Sequence, residues 1–384
     1  AAIALALPLA SATVDRLGVA TSFAWGVVVS VLGCALRASA VAQAAPSFRL
    51  FAVGVFTANV GSAFLNVLPA PLAVRRFPVH SQGVAASIAQ FGVNGGGYGG
   101  PLLGVYFRSD PGGLLRLQLL ATVGCLFLLC LVPRRPDLAL EQRDAAAAPG
   151  AEAATPCGGE GPGVRGEWCW RPSELWRPSV ELFRVPGLPY LLFGYSLTNA
   201  IFSAFCGVLE HYAALLPHGG GLDRLMSIIL IVAILLGTAA CGWACDILGA
   251  RRALALSGAA AAVSWTLCWL GWWLAAPVIA VVGWASAVFF NGAIPTAAFL
   301  ASAQASPRLE GAACAHLNFL AAVASTLSQL AAAQLVGAAG DDRGMAIGML
   351  ACLMLGSVGA WLLLLRGAAL LPAPANAGAV GCVV

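Results

Sequence analysis

The chain is 384 residues long, 60% hydrophobic and only 9% charged, with a formal net charge of +4. A soluble domain carries about 25% charged residues, so this chain cannot cover itself with a water-compatible surface and reads as an integral, multi-pass membrane protein. The small, scattered positive excess points to no nucleic-acid partner, and since every one of the 20 basic residues is Arg, the bias reflects base composition rather than mechanism.

Eleven hydrophobic segments are predicted in chain order, over residues 1–14, 19–36, 48–74, 82–107, 114–133, 189–215, 222–245, 253–275, 277–303, 311–337 and 344–365. Stretches such as Leu225 to Ala244 and Gly344 to Leu365 are long enough for a bilayer core of about 30 Å. Backbone groups in lipid must be satisfied within the segment, so these spans are expected to be helices. Strand-type alternation is absent. Of the 12 cysteines, most lie inside the apolar spans, as do Cys34, Cys125, Cys130, Cys241 and Cys268. There they act as small apolar fillers, and no CxxC pairs with a second CxxC, so no metal site and no cofactor are expected.

Between the fifth and sixth segments lies the one long polar stretch, Arg134 to Arg184. Its Ala/Gly/Pro-rich part, Ala145 to Gly163, reads as disordered. Its last part, Trp168 to Phe183, reads either as an interfacial amphipathic helix or as a Trp-bearing linker resting on the headgroups. The expected organisation is an N-terminal half over 1–133, a largely disordered linker over 134–188, a C-terminal half over 189–366 and a tail over 367–384.

The halves repeat one another. Asp15-Arg16-Leu17-Gly18 recurs as Asp246-Ile247-Leu248-Gly249-Ala250-Arg251-Arg252, 231 residues later (246 − 15). Phe64-Leu65-Asn66…Pro69 recurs as Phe289-Phe290-Asn291…Pro295, and Gln82-Gly83-Val84-Ala85-Ala86 as Glu310-Gly311-Ala312-Ala313, with offsets of 225 and 228 (291 − 66 and 311 − 83). Three matches in one order at nearly one spacing indicate a parallel repeat, the plan of transporters whose site lies between two halves. Placing the Asp15 loop and every second loop after it on one side collects 14 arginines there and 6 on the other. The positive-inside rule makes the first side cytoplasmic, together with the linker and the C-terminus. The repeat also predicts that the segment at 189–215 has a partner before residue 1. The chain is thus expected to start inside the second helix of a twelve-helix protein, with about 11 helices present and helix 1 missing.

Asp-x-Leu-Gly followed by basic residues is similar to the loop between helices 2 and 3 of the major facilitator superfamily, and to its copy between helices 8 and 9. The Gly allows a tight turn. The Asp can bond backbone N–H groups or Arg in one state and release them in the other. This makes Asp15, Arg16, Gly18, Asp246, Gly249, Arg251 and Arg252 a candidate gate.

Leu5-Ala6-Leu7-Pro8…Val14-Asp15-Arg16-Leu17-Gly18, Phe77-Pro78-Val79-His80-Ser81-Gln82-Gly83-Val84-Ala85-Ala86 and Pro307-Arg308-Leu309-Glu310-Gly311-Ala312-Ala313 resemble solute carrier family 49. This family holds the feline leukemia virus subgroup C receptor-related carriers and the disrupted-in-renal-carcinoma-2 carrier. Ile201-Phe202-Ser203-Ala204-Phe205-Cys206-Gly207-Val208-Leu209-Glu210 is most similar to its third-member branch. The resemblance covers nearly all the hydrophobic segments but not 134–184. It implies an all-α major facilitator fold and transport of a small organic solute such as choline, ethanolamine, a vitamin B6 compound or heme. It also implies an aromatic cage with two glutamines. Here the helix-1 Trp would precede residue 1, the helix-7 Tyr position falls at Ser203, the helix-5 Gln at Asn94 and the helix-11 Gln at Ala322. These departures speak against choline itself and leave the transporter reading intact. Glu210, placed as in the family, hints at an external gate or entry site; a plain solvated helix end is the alternative.

At 1.5 Å rise per residue, Asn94 lies about 18 Å, Asn199 about 15 Å and Asn291 about 16 Å from the expected cytoplasmic ends of their helices. All three sit near the midplane, with Asn66 and Asn318 nearer the cytoplasmic side. Polar side chains at that depth face the bundle or a wet cavity, and an amide both donates and accepts. The five amides, with Ser203 and with Tyr98 one turn beyond Asn94, are therefore the candidate substrate contacts; helix-to-helix bonding is the alternative. No Asp or Glu falls at the midplane of any segment, which points to a facilitative carrier rather than an ion-coupled one. No GxSxG, HExxH or paired Asp suggests an enzyme. The lipid bilayer and a small solute are the expected partners of a monomer. A non-transporting receptor or scaffold, or a truncated paralogue, is the alternative reading.

Overall fold

The computed structural model describes residues 2–43, 47–107, 110–131, 179–216, 222–307, 309–339 and 342–372. The expectations for 132–178 and for the tail after 372 fall outside these residues, as does the side chain of Tyr98. The architecture is helical: α1 (Ala2–Leu17), α2 (Val19–Ala42), α3 (Phe48–Val67), α4 (Pro69–Arg76), α5 (Gln82–Tyr106) and α6 (Pro111–Leu131) form the first half. The second half holds α7 (Leu188–Gly207), α8 (Leu209–Ala214), α9 (Leu222–Leu248), α10 (Ala250–Trp273), α11 (Pro277–Ala305), α12 (Glu310–Ala339) and α13 (Arg343–Leu370). Among the described residues, eight helical runs are long and apolar enough to cross a membrane by length and composition; α1, α5 and α7 pack among them.

The helix boundaries follow local chemistry. Gly18 (φ 88, ψ 167) separates α1 from α2, and Gly249 (φ 80, ψ 147) separates α9 from α10. Both occupy a region of backbone space open essentially to Gly alone, so the repeated Asp-x-Leu-Gly script codes one turn built twice. Pro69 opens α4 after a break at Leu68, where its missing N–H costs nothing. The sixth hydrophobic segment likewise breaks, at Val208 between α7 and α8.

Two helices run past the predicted segments and carry an arginine each. Arg37 lies just beyond the predicted 19–36 segment, yet α2 continues to Ala42. Its Nη2 donates to Gln118 Oε1 on α6 at 2.6 Å, so the charge is carried on the helix by a specific acceptor. Arg343 is the first residue of α13, and its Nη2 donates to the Trp272 carbonyl at 3.2 Å.

Within the first half, α2 packs on α3 and α6; within the second, α11 packs on α9 and α10, and α7 on α12 and α13. Small residues set the spacing, as expected where lipid offers no hydrophobic drive and close backbone approach must supply the attraction. A Cβ at Gly33 would strike the backbone of Ala58, and one at Gly283 the backbone of Cys268. The second half is anchored by Phe205, whose ring lies 4.8 Å from Trp284, 5.1 Å from Tyr212 and 5.3 Å from Trp265. Three polar ends around it find backbone acceptors, as an apolar interior favours. Trp272 Nε1 donates to the Tyr212 carbonyl at 3.0 Å, Trp284 Nε1 to the Met226 carbonyl at 3.1 Å, and the Tyr212 hydroxyl to the Ala346 carbonyl at 3.1 Å. The halves meet along two seams, α1 against α12 and α5 against α9.

Candidate functional site

The first four N–H groups of a helix have no partner within it. At two helix starts in this fold the partner is a carboxylate from the opposite half. Asp15, near the end of α1, accepts from Gly311 N at 2.9 Å (Oδ1) and from Ala312 N at 3.0 Å (Oδ2), at the start of α12. Asp246, near the end of α9, accepts from Gly83 N at 2.6 Å (Oδ1) and from Val84 N at 2.9 Å (Oδ2), at the start of α5. Each half thus caps a helix of the other. The carboxylate also sits at the positive end of that helix's dipole. The capped residues are the Gly83 and Gly311 matches of the sequence repeat, so both caps and both recipients obey it.

Close approach accompanies each cap. A Cβ at Gly83 would run into the Gly242 carbonyl, and one at Gly242 into Ser87. A Cβ at Gly311 would lie 2.8 Å from Asp15 Oδ1 and 2.9 Å from Val14 Cβ.

Side chains beside the caps complete the cross-links. Arg75 on α4 donates through Nη2 to Glu310 Oε2 at 2.7 Å and through Nη1 to the Val14 carbonyl at 2.9 Å; its Nη2 also lies 3.4 Å from Asp15 Oδ1. At the other seam, Gln304 on α11 donates through Nε2 to Gln82 Oε1 at 2.9 Å. Gln82 Nε2 in turn donates to the Phe77 carbonyl at 3.2 Å. Arg75, Glu310, Gln82 and Gln304 were missing from the sequence-based candidates, although a signal existed. Gln304 follows Arg75 by 229 residues (304 − 75), and Glu310 follows Gln82 by 228 (310 − 82).

The remaining candidates fall in different places. Arg16 is exposed beside Asp15, and Arg252 is exposed at the start of α10. Arg251 points within its own half, donating to the Leu371 and Pro372 carbonyls, each at 2.6 Å. Glu210 is exposed on α8, just past the Val208 break.

Among the amides, Asn94 is buried between the halves. Its Nδ2 donates to Thr238 Oγ1 at 2.9 Å, while Gln90 Nε2 donates to its Oδ1 at 3.2 Å. The Thr238 hydroxyl lies 2.7 Å from the Ile234 carbonyl and 3.0 Å from that of Gly292. Asn318 Nδ2 lies 3.2 Å from the Asn66 carbonyl, another link across the halves. Asn199 and Asn291 bond their own helices, to the carbonyls of Tyr195 at 3.0 Å and Ala287 at 2.7 Å. Ser203 is half-buried one turn beyond Asn199. Two of the amides therefore join the halves and two brace single helices. A groove of about 570 Å³ between α9 and α11 is lined by apolar residues including Val232, Leu236, Phe289 and Phe290, with none of the five amides on its wall.

The fold matches those of solved transporters. FucP in the outward conformation superposes with a TM-score of 0.68 at 13% identity, covering 95% of this chain and 86% of that one. A bacterial homologue of the iron transporter ferroportin gives 0.66 at 14% identity (96% and 88% covered). The human organic anion transporter MFSD10 gives 0.64 at 18% identity (94% and 81% covered). No curated protein matches the chain. The profile of the Major Facilitator Superfamily matches residues 1–328, so the all-helical architecture and the sequence agree: this chain belongs to the major facilitator superfamily.

Proposed function

We propose that the chain is a transporter that moves a small organic solute by alternating access, facilitatively, with the capped face as its inner gate. The reciprocal capping carries this reading. Two carboxylates at repeat-related positions each hold the opposite half by bonds that exist only while that face is shut. A cap of this kind is worth about 0.5–2 kcal/mol, enough to favour one state and little enough to break on every cycle. Asp15, Gly18, Asp246 and Gly249 would form the gate, with Arg16, Arg251, Arg252 and Glu210 as flanking charges. Asn66, Asn94, Asn199, Asn291, Asn318, Ser203 and Tyr98 remain the proposed solute contacts. Neutral amides and hydroxyls suit the organic-cation or vitamin-like solutes implied by the resemblance to solute carrier family 49.

The test is uptake into proteoliposomes of labelled choline, ethanolamine and pyridoxine, singly and in counterflow. Saturable uptake of at least one of them is expected down its own gradient, unchanged when pH and sodium gradients are dissipated. Flux that collapses with either gradient would overturn the facilitative reading, and absence of saturable flux of all three would remove this solute class.

A further inference from the structure

We infer that the two inter-half latches are unequal, and that the α5–α9 seam parts before the α1–α12 seam, giving the solute a one-sided route to the capped face. This rests on the gating reading above and adds an order to it. The observation is a chemical asymmetry at equivalent positions. Beside the Asp15 cap, the cross-link is Arg75 to Glu310, a charged pair with both side chains about nine-tenths buried, 11% and 10% exposed. Beside the Asp246 cap, the same two repeat positions hold Gln304 and Gln82, a neutral amide pair at 2.9 Å. Hydrogen bonds between charged groups are shorter and about twice as strong as neutral ones. Burial offsets part of this, since parting the seam rehydrates the charges, but each of the three groups is paired: Asp15 has two N–H donors, and Arg75 bonds Glu310, Asp15 and the Val14 carbonyl. What remains is the net advantage of a hydrogen bond to a charged group over a neutral one.

What lies deeper in each seam agrees. Behind the Asp15 latch, Leu7, Ala10 and Val14 of α1 share one apolar cluster with Ala312, Ala313 and Ala315 of α12. Parting that seam exposes apolar surface to water. Behind the Asp246 latch lies the Gln90–Asn94–Thr238 chain, in which Gln90 Oε1 is buried with no partner. Opening there gives an orphaned acceptor to water, a gain rather than a cost. The seam with the buried amide chain is also the neutral-latch side, so a polar solute finds its path where the lock is weaker.

Ser87 and Ala315 occupy equivalent positions four residues past the capped glycines, one on each seam, and are 4% and 3% exposed. Ser87→Cys and Ala315→Cys, made separately in otherwise native protein, would be labelled with a membrane-impermeant maleimide and read peptide by peptide. Each rate is divided by that of the same Cys with both caps removed (Asp15→Ala with Asp246→Ala), which cancels local reactivity. The normalised rate at 87 is expected to be about fivefold that at 315, the difference between a neutral and a charge-assisted bond. Glu310→Gln should raise the rate at 315 alone, and Gln82→Glu with Gln304→Arg should slow that at 87. Should Ala315→Cys fail to fold, Ser11→Cys on α1 reports the same seam. Equal normalised rates, or a faster rate at 315, would overturn the ordering while leaving the gate intact. Absence of any response to cap removal at either position would overturn both.

Discussion

Replacing Asp15 and Asp246 together with Ala is expected to swing the resting protein from a closed to an open capped face without unfolding it. Each substitution strips two N–H groups of their acceptor, Gly311 and Ala312 in one case, Gly83 and Val84 in the other. Loss of a cap costs about 1 kcal/mol and up to about 2. Asp15→Ala also deprives Arg75 of one of its two carboxylate contacts. The two sites share no partner, so their effects should add to within a few tenths of a kcal/mol. A combined loss of about 2–4 kcal/mol corresponds to roughly a 30- to 1000-fold shift in the closed-to-open ratio. The labelling rate of a Cys at position 87 checks it and should rise at least tenfold. Asp→Asn at both sites should give a smaller rise, since the amide oxygen still accepts but carries no charge toward the helix dipole.

Gly83→Ala is expected to do comparable damage from the steric side. The added Cβ would lie 2.7 Å from both Cys245 Cβ and Asp246 Oδ1, and would run into the Gly242 carbonyl. The Gly242 carbonyl is backbone and the Cys245 Cβ is fixed to its own backbone, so neither can swing aside, and forcing a methyl into such a contact costs about 1–3 kcal/mol. The clash exists only with the halves together, so the open state should be spared. Tm should fall little, while labelling at position 87 rises. Gly92→Ala is the matched control, because nothing lies within 4 Å of its would-be Cβ and Ala is the better helix former. If Gly83→Ala and Gly92→Ala labelled alike, tight apposition at Gly83 would play no part in closure.

What the sequence made legible followed from period and order. Hydrophobic runs located the helices, and the doubled Asp-x-Leu-Gly script located two identical turns, since only Gly accepts φ near 80–88° there. The matched Gly83 and Gly311 even included the recipients of the caps. What stayed hidden depends on helix rotation and on contacts between distant segments. Rise per residue gave Asn94 its depth but not its azimuth, which turns it toward Thr238 on α9 rather than leaving it unpaired. Arg251 was grouped with Asp246 because they flank one loop, yet its guanidinium reaches the end of α13 in the same half. Arg75 served only to orient the chain in the membrane. Its bond to Glu310 spans 235 residues, beyond the reach of any local pattern.

The most direct test of closure is a distance across the capped face. Spin labels at His80 and Pro307, both exposed and in opposite halves, would be measured by pulsed electron resonance in nanodiscs. The native protein should give mainly one short distance, and the Asp15→Ala/Asp246→Ala protein a second, longer one that dominates. A single distance unchanged between the two would contradict the claim that these carboxylates hold the halves together.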